Sequence, residues 1–126
     1  MFYIDTNILI YLFEQHDPYS MQVANILEES TKEAKLLVTS AITVTEFLAG
    51  TNRSNLETLY QVPSLTIINL DERLAEQAAM LQRKHKIQIG DSIHLATAIQ
   101  QQVESFFTND KFLSKIVENY MKVISL

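Results

Sequence analysis

The 126-residue chain contains no cysteine. That excludes disulfides, thiolate zinc sites and cysteine nucleophiles, and it fits a reducing compartment. Only two glycines and two prolines punctuate the chain. No internal repeat, low-complexity tract or linker is visible, so nothing marks a domain boundary. No apolar run approaches the ~20 residues that a bilayer-spanning helix needs. The N-terminus lacks a basic segment and Asp5 breaks its apolar run, so no signal peptide is expected. These features predict a cytoplasmic protein with no membrane association. Basic residues are also few: ten Lys and Arg against fifteen Asp and Glu leave a formal charge of −5. Sequence-blind attraction to nucleic acid is thereby disfavoured, because such binding relies on cationic side chains that release phosphate counterions. A polyanionic substrate would need bound divalent cations, a second subunit, or a basic patch such as Arg83, Lys84 and Lys86. That patch has a plainer reading as the last turn of a helix, where cations favour the helix dipole.

The hydrophobic content is 47%, and a chain of this length builds one core rather than two. One domain over residues 1–126 is expected. Phe2 to Ile4 form a short apolar run ending at Asp5, and Ile8, Leu9, Leu12 and Phe13 then recur at helical spacing. Asp17 before Pro18 reads as an N-cap with proline at the first helical position, opening a second helix to about Thr31. Leu36 to Thr39 predicts a strand, and a helix from Ile42 follows with Gly50 placed to end it. Ser54 and Glu57 have capping-box spacing, and Leu65 to Leu70 predict another strand.

Asp71 caps a helix that carries Leu74, Ala78 and Leu81 on one face and runs to about Lys86. Gly90 breaks that pattern and Asp91 opens the next helix, whose alanine-rich centre from Ile93 to Ile99 suits close packing. A strand at Phe106–Thr108, a short helix at Asp110–Val117 and a last strand at Lys122–Ser125 complete the chain. Alternating strands and helices predict an α/β fold: a three-layer α/β/α sandwich with a central parallel sheet of four to five strands.

In such sheets ligands bind beyond the carboxyl ends of the strands, where strand order reverses. Asp5 follows the first strand directly and Asp110 lies two residues after the fourth, so both belong to one rim. Glu46 lies one turn into the helix after the second strand, and Asp91 begins the helix that leads to the fourth. Each acid alone has a bland explanation. Asp91 and Asp110 are good N-caps, Asp71 is in the same position with no role beyond capping, and Glu46 suits a solvent-facing helix position. Together they are costly, since unit charges about 5 Å apart repel by roughly 3 kcal/mol per pair at an effective dielectric near 20. A shared proton, a basic side chain or a cation must offset that. Oxygen-only ligands select Mg²⁺ or Mn²⁺, and phosphodiester hydrolysis by metal-activated water is the matching chemistry.

Four segments carry a resemblance: Ile4-Asp5-Thr6-Asn7, Thr45-Glu46-Phe47 with Gly50, Gly90-Asp91-Ser92-Ile93 with Ala96 and Ala98, and Phe107-Thr108-Asn109-Asp110. In this order the chain resembles PIN-domain ribonucleases over essentially its full length, and most closely the VapC-type toxins of toxin–antitoxin pairs. The resemblance implies Mg²⁺ or Mn²⁺ at Asp5, Glu46, Asp91 and Asp110, and endonucleolytic cleavage of RNA. It also implies a homodimer silenced by an antitoxin. Thr6, Asn7, Thr108 and Asn109 would be supporting polar groups. Asp5 and Asp91 would lie closest to the first ion, with Glu46 and Asp110 acting partly through water.

His16, His85 and His94 form no metal-ligand pattern, and each reads as a surface or packing residue. Tyr3, Tyr11, Phe13, Phe47, Phe106 and Phe107 fall within predicted elements and read as core. Ser92 lacks a histidine base, which disfavours serine nucleophile chemistry. A haloacid-dehalogenase-type phosphatase would want an acid two residues after Asp5, where Asn7 stands. A receiver domain would want paired acids near the first strand and a late lysine. The remaining alternatives are a non-catalytic PIN-like interaction module and a nuclease of this fold acting on DNA.

Overall fold

The structure is a computed structural model that describes residues 1–14, 18–50 and 56–126. The elements run β1 (Phe2–Ile4), α1 (Thr6–Glu14), α2 (Tyr19–Lys32), β2 (Leu37–Ser40), α3 (Ala41–Gly50) and α4 (Leu56–Tyr60). They continue as β3 (Leu65–Ile68), α5 (Glu72–His85), α6 (Ile89–Gln100), β4 (Ser105–Phe107), α7 (Lys111–Val117) and β5 (Lys122–Ile124). All strand pairings are parallel and the spatial order is β3-β2-β1-β4-β5. The expected α/β sandwich is therefore present, with five strands among the described residues.

Strands buried on both faces read as continuous apolar runs, and the side-chain period of two divides each run between two cores. On one face Phe2, Ile4, Leu37 and Phe107 pack with Ile8 and Leu9 of α1, Val23 and Leu27 of α2, Phe47 of α3 and Leu59 of α4. On the other, Tyr3, Val38 and Phe106 meet Leu95 and Ala98 of α6 and Leu113 and Val117 of α7. Ala78 of α5 and Ala96 of α6 lie in a third cluster with Leu74 and Ile93, so the alanines do allow two helices to pack closely. Tyr3 stacks on Phe106 with ring centroids 4.8 Å apart. Of the aromatics assigned to the core, Tyr3, Phe47, Phe106 and Phe107 are fully buried, and Tyr11 and Phe13 are partly buried against the cluster that holds Phe47 and Phe107.

Local signals resolve in both directions. Asp71 caps α5, its Oδ1 accepting from Leu74 N–H at 2.9 Å. Arg83, Lys84 and His85 do occupy the last turn of α5, and Lys86 is its left-handed C-cap at φ 55°. Pro18, expected as the first helical residue, stands one position earlier as the N-cap of α2. The helix carrying Asp91 begins at Ile89 with Gln88 as its cap, so Gly90 lies inside it and Asp91 is a first-turn residue rather than the cap. Gln88 is extended at φ −69° and ψ 157°, so the helix starts just after it. Asp17, Ser54 and His16 lie outside the described residues. Asp71→Ala is expected to cost about 1 kcal/mol through loss of the cap. The fall in the midpoint of thermal unfolding reads this directly.

Candidate active site

The chain adds β2 and β3 on one side of β1 and β4 and β5 on the other, so strand order reverses between β1 and β4. Asp5 stands at the carboxyl end of β1, at that switch point. Its N–H donates to Phe107 O of β4 at 3.0 Å, which prolongs the sheet by one bond. The carboxylate is buried and both oxygens are fixed: Oδ1 accepts from Thr6 N–H at 2.8 Å and Oδ2 from the Thr108 hydroxyl at 2.7 Å. Thr108 also accepts from Asp110 N–H at 3.1 Å, so one hydroxyl ties the ends of β1 and β4 together.

Asp110 caps α7 as expected, with Oδ1 accepting from Phe112 N–H at 2.9 Å and Leu113 N–H at 3.0 Å. That bond set commits one carboxylate oxygen to the helix. Asp91 sits half-buried in the first turn of α6, and no described residue gives its carboxylate a hydrogen bond. Its pKa is pushed up to about 6, first by burial and then by the charges of Asp5 and Asp110, with a smaller push from Glu46 and an opposing pull from His94. Asp91 therefore senses all three other acids. Among the described residues no three acidic or histidine side chains converge on one coordination point, so the four act on each other through space.

Glu46 projects from α3, and its Oε1 accepts from the Thr6 hydroxyl at 2.7 Å and from His94 Nε2 at 2.6 Å. Burial works to raise its pKa, but the His94 hydrogen bond and charge and the Thr6 bond outweigh it and hold the carboxyl below its usual range. The other oxygen, Oε2, lies 3.0 Å from where a Cβ on Gly90 would stand. Gly90 is thus explained by the approach of Glu46 rather than by the end of a helix.

His94 is the residue that reading the sequence passed over. It is a packing residue in being 1% exposed, but it packs inside the acid site. Nε2 is 2.6 Å from Glu46 Oε1 and 3.6 Å from Asp5 Oδ1. On the other side of the ring, Nδ1 hydrogen-bonds the Tyr3 hydroxyl, whose oxygen accepts from Ser40 N–H at 3.1 Å. Burial alone would lower the His94 pKa, yet the Glu46 bond and the Asp5, Glu46 and Asp91 charges bring it above the ordinary histidine value. Burial and the nearby Asp5 push the Tyr3 phenol well up, so it stays protonated. A signal was available: His94 stands three residues after Asp91, on the same helix face, in a segment otherwise apolar.

Thr6 and Thr108 are buried and bonded to the acids as described, whereas Asn7 is exposed and Asn109 partly exposed, without a hydrogen bond to the acids among the described residues. The donor set suits a hard divalent cation: carboxylate oxygens, an excess of negative charge, and one histidine already engaged with Glu46.

A parallel sheet with a buried acid at its switch point and three partly buried acids around it defines a class of α/β proteins with an acidic rim. Within that class, the PIN domain sequence family matches residues 2–119, and the chain belongs to that family. No curated protein sequence matches it significantly. Among solved structures it is similar to a toxin–antitoxin complex from Klebsiella pneumoniae, with 26% identity, TM-score 0.70, and 98% of this chain and 96% of that chain covered. The fold is also that of VapC20 from Mycobacterium tuberculosis, described as a sarcin–ricin-loop-cleaving toxin, at 15% identity, TM-score 0.73, and 92% and 95% coverage. FitAcB from Neisseria gonorrhoeae is similar too, at 23% identity, TM-score 0.70, and 98% and 96% coverage. Among the described residues no helix is long and apolar enough to cross a membrane.

Proposed function

We propose that the protein is a Mg²⁺- or Mn²⁺-dependent endoribonuclease and the toxin of a toxin–antitoxin pair, acting as a cytoplasmic homodimer. The observation that carries this reading is the raised pKa of Asp91, half-buried among Asp5, Asp110 and Glu46. Burial is the first cause of that shift, and the charges of Asp5, Asp110 and Glu46 add to it, so a cation placed among these acids would be favoured. Membership of the PIN family supports a nuclease, and the toxin–antitoxin complex among its structural relatives supports an antitoxin partner. The RNA-cleaving description of one relative favours RNA over DNA as substrate.

Asp5 and Asp91 are the principal metal-binding acids in this reading, with Glu46 and Asp110 completing the catalytic set. Mg²⁺ or Mn²⁺ held by these acids would supply Lewis-acid assistance to the phosphodiester and a water of lowered pKa. The chain's own contribution is order. Thr6 N–H and Thr108 fix the two oxygens of Asp5, and the α7 cap fixes one oxygen of Asp110. Asp91 gives up its proton on engaging a cation, so cation affinity should rise with pH through about 6.

The test incubates the purified wild type and Asp5→Asn with structured RNAs and matched DNAs, in Mg²⁺, Mn²⁺ or chelator. Cleavage of RNA by the wild type with metal alone is expected. Cleavage that persists in chelator and in Asp5→Asn would sink the mechanism, and cleavage of DNA instead would move the substrate to the alternative.

A further inference from the structure

Glu46 is held unequally. Oε1 takes two short hydrogen bonds, from Thr6 and His94, while Oε2 accepts none among the described residues and lies against the backbone of Gly90, next to Asp91. The ring that donates to Oε1 is itself held from behind. Tyr3 comes from the central strand β1, and its oxygen is set by Ser40 N–H at the end of β2. With that N–H donating to the phenol oxygen, the phenol can turn its proton to Nδ1, which puts a ring proton on Nε2, facing Glu46. In the imidazolium form Nε2 carries a proton as well. A continuous chain of bonds thus runs from the sheet, Ser40 to Tyr3 to His94, out to one oxygen of an acid on a different layer.

We propose that His94 is a positioning residue: anchored through Nδ1 by Tyr3, it holds Glu46 by Oε1 and leaves Oε2, beside Gly90, as the oxygen with which Glu46 serves a divalent cation. The proposal rests on the metal-dependent reading of the site. Ligand side chains are commonly oriented this way by hydrogen bonds from groups that never touch the ion, and removing such a group costs on the order of 10- to 100-fold in metal affinity or activity. Thr6 alone cannot replace the ring, because its hydroxyl sits in a shared set of contacts with Thr43 at 3.3 Å and His94 at 3.4 Å.

Two amide variants separate this role from plain packing. The side-chain amide nitrogen of Gln in His94→Gln occupies the place of Nε2 and can donate to Glu46, while the link to Tyr3 is lost. In His94→Asn the shorter amide occupies the place of Nδ1, so Tyr3 keeps a partner and Glu46 loses its donor. The full-length wild type, both variants and Asp5→Asn are titrated with Mn²⁺, bound ion being read by electron paramagnetic resonance and folding by circular dichroism. Mn²⁺ affinity in His94→Asn is expected to fall by on the order of 10-fold or more, and in His94→Gln to recover to within about threefold of wild type. A folded His94→Gln that binds Mn²⁺ as poorly as Asp5→Asn overturns the proposal, whether or not His94→Asn folds. So does wild-type affinity in His94→Asn, while loss in Asp5→Asn leaves the metal-site reading standing. Absence of Mn²⁺ binding by the wild type removes both.

Discussion

Asp91→Asn is expected to make the metal-free protein more stable near neutral pH and, if the acids hold Mg²⁺ as proposed, to remove most of the stabilisation the ion would bring. The carboxyl has a folded pKa of about 6 against an ordinary 3.8. Below 3.8 it is protonated in both states and contributes nothing to the balance. As pH rises from there to about 6 the unfolded chain releases its proton first, so the fold loses stability across that window and keeps the full penalty above it. A wholly buried carboxyl with that displacement would cost roughly 3 kcal/mol. Half-exposed, with water screening it, Asp91 costs about 1 to 2 kcal/mol.

The Glu46–His94 pair adds slopes of its own. Glu46 has a lowered pKa, so its contribution is present above 4.5 and is lost as pH falls through the lower folded value. His94 has a raised pKa, so its contribution is full below 6.5 and is lost as pH rises through the higher folded value. The metal-free wild type should therefore be most stable in mild acid and should weaken toward alkaline pH. Thermal unfolding in chelator at several pH values reads this directly. A flat profile, or an Asp91→Asn curve lying below wild type at neutral pH, would contradict the electrostatics of the site. With saturating Mg²⁺ the order should reverse, because an ion bound only to the folded state adds stability by mass action and the variant has lost one oxygen donor.

Tyr3→Phe is the second large effect, although it deletes a single oxygen. The ring stays buried and stacked on Phe106, so the apolar contribution is nearly unchanged. What is lost is the partner of Ser40 N–H and of His94 Nδ1, both in the buried interior. Leaving buried polar groups unsatisfied costs about 1 to 3 kcal/mol for each group. The expected loss is therefore about 2 to 6 kcal/mol, measured by urea unfolding with an unchanged m-value. A loss below about 0.5 kcal/mol would mean that neither group depends on the phenol. Tyr3→Leu is the control, since it gives up the stacking as well and should be worse than Tyr3→Phe.

Much of the scaffold was legible because the rules that make it are local. The apolar stretches at Phe2–Ile4, Leu37–Val38 and Phe106–Phe107 belong to strands covered on both faces, and Asp71 and Asp110 cap because a short acid before a helix satisfies its first N–H groups. Asp5 and Asp110 could be assigned to one rim from strand ends alone. The start of α6 was misplaced by two residues because Gly90 looks like a helix breaker until its close neighbour, Glu46 Oε2, is known. His94 reads from the sequence, like His16 and His85, as a surface or packing residue. Nothing local to it announces Glu46, 48 residues away, or Tyr3, 91 residues away.

The sequence by itself determined the alternation of strands and helices, the two-sided burial of the sheet, and which acids stand at strand ends and helix starts. These follow from hydrophobic periodicity and capping, which act over a few residues. Tertiary structure alone decided how the acids differ. It buried Asp5 under two hydrogen bonds, committed one oxygen of Asp110 to α7, left Asp91 half-buried beside the charges of three other acids, and set Glu46 on a histidine braced from the central strand. Those distinctions depend on desolvation and on contacts between residues far apart in the chain. Both are properties of the packed layers and of no segment taken alone.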